Sequence, residues 1–344
     1  MASKIASDPR IDPRIKAMFG AWPDLTPSTD VPNRDALLAE ENSEAGRQRW
    51  AATQAMMDAL DNETVAPSAG LVVRDERFQS QPDGNWINIR YVRPDNAEIL
   101  PCVYYIHGGG MMTMSAYDGM YRAWSRLIAA EGVAVAMVDF RNCVRASSAP
   151  EVAPFPAGLN DCVSGVKWVS AHHAELRIDP ATIIVAGESG GGNLTLATGL
   201  KLLKDGDIGL IKGLYALCPY IAGRWPQDRF PSSIENNGIL LDLHSNRGAM
   251  GYGIEAFNAR DPLAWPAFAT EADVKGLPAT VISVNECDPL RDEGVAFYRL
   301  LLAAGVPARC RTVMGTIHGT EVFAASCPDI SRDGAALIAR FAKA

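Results

Sequence analysis

The chain has 344 residues, of which 48% are hydrophobic and 21% charged, and a formal net charge of −8. That is ordinary globular composition with apolar material for a full core, as one large domain or a domain plus an accessory segment. The acidic balance, with no basic stripe, excludes a nucleic-acid partner, and no apolar run approaches the length of a bilayer span, so no membrane partner is expected.

Residues 1–65 read as helical, with Trp50, Met56, Met57 and Leu60 at helix-like spacing and prolines at 9, 13, 23, 27 and 32. The start lacks the continuous apolar core of a secretory signal, which sets the expectation of a cytoplasmic protein. Leu71 to Gln79 and Trp86 to Val92 read as two strands around the turn-rich Gln81-Pro82-Asp83-Gly84-Asn85, a β-hairpin. From residue 100 short apolar runs recur at Val103–Ile106, Val133–Val138, Thr182–Ala186, Leu214–Cys218, Thr280–Val284 and Ala308–Val313. Helix-length stretches fall between and after them, around 118–131, 156–175, 191–204, 291–304 and 331–343. Continuous apolar strands alternating with helices indicate a mostly parallel sheet covered on both faces, an α/β class, with the hairpin as an antiparallel edge. One connection is far too long for a turn: 219–265 reads as an inserted helical segment over a site. The division expected is therefore a helical cap segment over 1–65 and a catalytic domain over 66–344 that carries the 219–265 insertion.

Seven scattered cysteines without a C-x-x-C pair indicate reduced thiols, neither a disulfide framework nor a zinc site. Among five histidines only His172-His173 are close, with no carboxylate or thiolate cluster beside them, so no metal and no cofactor is expected.

Chemistry enters at Thr182–Ala186, which runs into Gly187-Glu188-Ser189-Gly190-Gly191 and then a helix. This is G-x-S-x-G on a strand–turn–helix, where a sharp turn exposes a serine and the helix start offers free N–H groups to a developing oxyanion. The bare motif arises by chance in roughly one chain in seven of this composition, so it needs company. His107-Gly108-Gly109-Gly110 supplies it, directly after Val103–Ile106. Three bare glycines let backbone amides approach a substrate oxygen closely, whereas a phosphate cradle would need a G-K-[ST] or G-x-G-x-x-G that is missing.

A serine needs a base and the base an orienting acid, in the chain order serine, acid, histidine on this architecture. After Ser189 only His244 and His318 remain; His318 follows the last strand, and His244 reads as a surface residue of the insertion. For the acid, the loop after Thr280–Val284 offers Asp288, with Glu286 as the other choice, while Asp292 and Glu293 already belong to the helix and are expected to face away. The bland role of Asp288 is a helix N-cap.

Together these stretches resemble the bacterial hormone-sensitive-lipase family of esterases, in its brefeldin A esterase branch. The family pairs H-G-G-G with G-[DE]-S-[AG]-G-G-N, D-x-L-x-D and a late H-G, here His107–Gly110, Gly187–Asn193, Asp288–Asp292 and His318-Gly319. The resemblance implies the α/β-hydrolase fold with eight strands and a helical cap, oxyanion amides from Gly109, Gly110 and Gly190, and a structural role for His107. It implies a carboxylic-ester hydrolase acting on small-molecule esters of short to medium chain or of bulky or cyclic shape, lactones included. It also implies a homodimer through a sheet-edge strand and helix. A non-catalytic small-molecule receptor, or an amidase or acyltransferase, would use the same fold. Here Gly190 stands where alanine is commoner in the wider family, and Met111-Met112 where an aromatic is common. Phe19, Trp22, Met111, Met112, Trp225 and Trp265 are the expected pocket wall.

Overall fold

The computed structural model describes residues 3–344. Eight strands form one sheet: β1 (Leu71–Gln79), β2 (Trp86–Pro94), β3 (Leu100–Ile106), β4 (Ala134–Asp139), β5 (Ile178–Glu188), β6 (Gly213–Leu217), β7 (Ala279–Asn285) and β8 (Ala308–Val313). Their order across the sheet is β1-β2-β4-β3-β5-β6-β7-β8. The hairpin β1–β2 is antiparallel and joins β4 antiparallel; every later pairing is parallel. The expected α/β-hydrolase fold with an antiparallel edge is thus observed.

Alternation along the central strands divides the core into two layers, as period-two side chains require. Tyr104, Ile106, Ala136, Val138, Ile183 and Val185 face one side, with the helices Ala157–Ala171 and Gly190–Asp205. Val103, Tyr105, Val135, Met137, Ile184 and Ala186 face the other, with the helices Gly119–Ala130 and Pro328–Lys343. Both faces being covered, these strands read as continuous apolar runs. Among the described residues no helix is long and apolar enough to cross a membrane.

The N-terminal stretch forms four helices, and its two longest are capped where local chemistry dictates: the Asn33 side chain accepts from Ala36 N–H before Arg34–Glu41, and Ser43 from Gly46 N–H before Glu44–Asp58. This stretch is tied to the insertion. Val31 N–H donates to Asn246, Asn246 N–H to Asp30, and Arg247 pairs with Glu40 at 2.9 Å. A separate small core joins Ile5, Ile11, Ile15 and Phe19 to Ile239, Cys287 and Ile317, so the N-terminus seats on the loops that hold Asp288 and His318.

Candidate active site

Four loops at the C-terminal ends of β3, β5, β7 and β8 carry the residues in question. Ser189 follows β5 with φ 57° and ψ −119°, a strained conformation for a residue with a side chain, costing of order 1–3 kcal/mol. Its own backbone offsets that cost: Ser189 N–H donates to Leu217, and its carbonyl accepts from Asn193 N–H and Tyr220 N–H, all at 2.9–3.0 Å. The elbow lies flush against the end of β3. A Cβ added at Gly187 would fall 2.6 Å from the Ile106 carbonyl oxygen, and one at Gly191 2.0 Å from it.

The glycine loop after β3 turns through left-handed conformations at Gly109 (φ 91°) and Gly110 (φ 65°), which leaves their N–H groups unpartnered among the described residues. Gly190 opens the helix Gly190–Asp205, where first-turn N–H groups lack an intrahelical acceptor. The loop and the helix start touch: a Cβ at Gly190 would lie 2.5 Å from Met111 N and 2.7 Å from Gly110 N. Three free amides, two on the loop and one at the helix start, therefore lie beside Ser189. His107 is fully buried, stacked on Phe140 with ring centroids 4.3 Å apart, and its Nδ1 lies 3.0 Å from the Gly108 carbonyl.

His318 follows β8, and its Nδ1 lies 2.8 Å from Asp288 Oδ2 in a buried pair. Burial opposes protonation of this imidazole, but the Asp288 carboxylate outweighs it and holds His318 well above the ordinary histidine range. Asp288 Oδ1 accepts from Leu290 N–H at 2.9 Å, so one carboxylate both builds its turn and orients the ring. Glu286 instead accepts from Gly315 N–H, and His244 is exposed with Nε2 on the Ser233 carbonyl. Glu293 does face away from His318, yet it is buried: its carboxylate accepts from Ile221 N–H, Ala222 N–H and Trp225 Nε1–H and clamps the start of the insertion. Three backbone and indole donors converging from a loop 68 to 72 residues earlier left no local signal in the sequence.

Cys218 follows β6 with φ 33°, just outside the strand in which the sequence put it. Its sulfur, His318 and Asp288 form the one group of three potential metal-ligand atoms among the described residues, within 4.8 Å of one another. Burial pushes the Cys218 thiol up to about 11, and the other two groups are already engaged with each other.

Ser189, His318, Gly109 and Gly110 open onto a cavity of about 480 Å³, within the usual range for small-ligand sites. Phe19, Trp22 and Met112 line it as expected. Contrary to expectation, Met111, Trp225 and Trp265 do not line it and are core residues. Met111 turns inward as its carbonyl takes Cys143 N–H, Trp225 is spent on Glu293 and a stack with Tyr220, and Trp265 packs edge-on against Tyr220 and Tyr252. The wall the sequence missed comes from the helix Glu44–Asp58 (Thr53, Met56, Met57) and the 219–265 segment (Leu240, Leu243, Arg247), because only tertiary packing brings those segments over Ser189.

A family described as the alpha/beta hydrolase fold matches residues 103–322. Esterase LipI of Mycobacterium tuberculosis is 29% identical over 323 residues, 93% of this chain and 91% of that protein. Structures of esterase Est22 are superposable with a TM-score of 0.97 at 65% identity, covering 99% of both chains. Brefeldin A esterase, a bacterial homologue of human hormone-sensitive lipase, superposes with a TM-score of 0.85 at 35% identity over 98% of this chain and 96% of its own. Matched through its catalytic core and alike along nearly its whole length, the chain belongs to the α/β-hydrolase family and, within it, to the esterases related to hormone-sensitive lipase.

Proposed function

We propose that the protein hydrolyses carboxylic esters through an acyl-enzyme on Ser189. His318 Nε2 takes the hydroxyl proton as Oγ attacks the ester carbonyl, and Asp288 holds the ring in the tautomer that allows it. The amides of Gly109, Gly110 and Gly190 receive the oxyanion, where each preorganised donor contributes about 3–4 kcal/mol. His318 then protonates the departing alcohol, and in the second half it deprotonates the water that releases the acid and frees Ser189.

The observation that carries this reading is the strained Ser189 elbow in contact with a glycine loop whose Gly109 and Gly110 amides are unpartnered among the described residues, on a cavity shared with a buried histidine–carboxylate pair. The wall is mostly apolar, with Met56, Met57, Met112, Met114 and Met120 facing the space. Methionine adapts to varied shapes, which supports short- to medium-chain, bulky or cyclic esters, lactones among them, as the substrate class. The test is turnover of p-nitrophenyl esters of two to twelve carbons by the protein and by Ser189→Ala. Turnover by the first and none by the second is expected; no turnover by either, or residual turnover by Ser189→Ala at the wild-type rate, would overturn the proposal.

A further inference from the structure

The hydrogen bonds that shape the glycine loop are mostly its own or run to the far side of it. Met112 and Thr113 N–H close the turn on the Gly109 carbonyl, and Cys143 N–H holds the Met111 carbonyl. His107, stacked on Phe140, approaches Asp139 of β4 at 3.5 Å. None of these sets where the loop sits relative to Ser189. One bridge does. Gly108 N–H donates to Tyr121 Oη at 2.8 Å, and Tyr121 Oη–H donates to Glu188 Oε1 at 2.9 Å.

The polarity at Gly108 is forced. An amide only donates, so the phenol oxygen must accept from Gly108, and its single proton is left for an acceptor. Glu188 Oε1 at 2.9 Å is a better acceptor than Met114 Sδ at 3.5 Å. Glu188 is the residue before the nucleophile, and Gly108 is the residue before the oxyanion glycines, so one phenol joins the two halves of the catalytic apparatus. The pair is also in contact: a Cβ at Gly108 would fall 2.0 Å from Glu188 Oε1. Glu188 Oε2 is buried without a partner among the described residues, which leaves Tyr121 as the side-chain donor on this carboxyl. Tyr121 itself is fully buried on the helix Gly119–Ala130.

The geometry points to Tyr121 and Glu188 as positioning residues that set the distance between the oxyanion amides and Ser189 through the bridge Gly108–Tyr121–Glu188. The inference rests on the ester-hydrolase reading, since it assigns these two residues to the oxyanion step of that reaction. Neither need touch substrate. The bridge is already formed without substrate, but the oxyanion contact it positions is realised in the transition state, so its loss lowers kcat and leaves KM nearly unchanged.

The experiment measures kcat and KM on p-nitrophenyl butyrate for Tyr121→Phe, Glu188→Ala and Glu188→Gln, per active site titrated with an organophosphonate, with Tm recorded alongside. Misplacing donors by a fraction of an ångström predicts a loss of about 10- to 100-fold in kcat for Tyr121→Phe and Glu188→Ala, with KM within about threefold. Glu188→Gln keeps an oxygen acceptor for Tyr121 and is expected to stay within about fivefold of wild type. A lowered Tm with kcat within twofold of wild type in Tyr121→Phe would make the bridge structural only and overturn the inference. So would Glu188→Gln falling as far as Glu188→Ala, which decides the matter if Tyr121→Phe does not fold. Absence of ester turnover in the wild type sinks the proposed function itself, whereas an active wild type with an undiminished Tyr121→Phe sinks only the bridge.

Discussion

Replacing Gly190 by alanine tests how closely the glycine loop is seated on the elbow. The added Cβ would meet Met111 N at 2.5 Å and Gly110 Cα and N at 2.7 Å, against 3.4 Å where ordinary contact begins. All three are backbone atoms, so no side chain can rotate away, and the loop must retreat by about 0.7–0.9 Å. It is not free to do so without loss, being tethered through Cys143 N–H on Met111 and Tyr121 on Gly108. A donor that stabilises an oxyanion must lie about 2.7–3.1 Å from it, and losing one costs about 10²–10³ in kcat. With partial relaxation of loop and helix, Gly190→Ala is expected to lower kcat by about 10- to 100-fold, roughly 1.4–2.7 kcal/mol in the barrier. KM should change by less than about threefold, because the ground-state ester draws little on these amides. The assay is steady-state hydrolysis of p-nitrophenyl butyrate normalised to titrated active sites. Alanine is common at this position in the wider family the chain resembles, which makes the outcome a test of this chain's own loop. A variant with kcat within threefold of wild type would refute the reasoning and show that the loop yields without moving its amides.

On the proposed mechanism His318 works unprotonated, so activity should be lost as pH falls through its ionisation; with Asp288 raising it, kcat/KM should climb through one step above the ordinary histidine value of about 6.5. A rate flat between about pH 5 and 9 would exclude His318 as the base. Asp288→Asn removes the carboxylate charge that opposes burial at the imidazole and leaves only the weaker contribution of Cys218, so the step should move down while kcat falls by about 10³–10⁴, read from the same pH profile. Glu293→Gln turns an NH₂ onto donors that now meet carboxylate oxygens, with Trp225 Nε1 at 2.6 Å, and should cost about 1–3 kcal/mol and several degrees of Tm in a thermal scan. Combining it with Trp225→Phe should recover part of that loss. Met112→Ala should shift the acyl-chain optimum with little change in Tm, whereas Trp265→Ala, in the core, should cost about 3–5 kcal/mol and leave the optimum alone. Chain-length series and thermal scans on both variants check this, and a shifted optimum in Trp265→Ala would contradict its assignment to the core.

Much of the fold was legible because the information is local. Each central strand is apolar on both faces, each following helix is long enough to cover one face, and glycines mark the turns where backbone must meet backbone. The strand-end positions of Ser189, Asp288 and His318 were readable for the same reason, as was the pairing of His318 rather than His244 with Asp288. The segments that line the cavity resisted such reading. A tryptophan or methionine in an irregular segment carries no sign of which way it will face, and the outcome for Trp225 and Trp265 was set by Glu293 and Tyr220, residues distant in sequence or on another element.

What the amino-acid sequence determined by itself, then, is the order of strands and helices and the chemistry available at the strand ends, since both follow from neighbours along the chain. Tertiary structure alone decided which helices roof the cavity, and which buried carboxyl clamps the insertion. It also decided that a phenol on the helix Gly119–Ala130 links Gly108 to Glu188. Those contacts join segments about 13 to more than 200 residues apart, and only the packed core brings them within hydrogen-bonding distance.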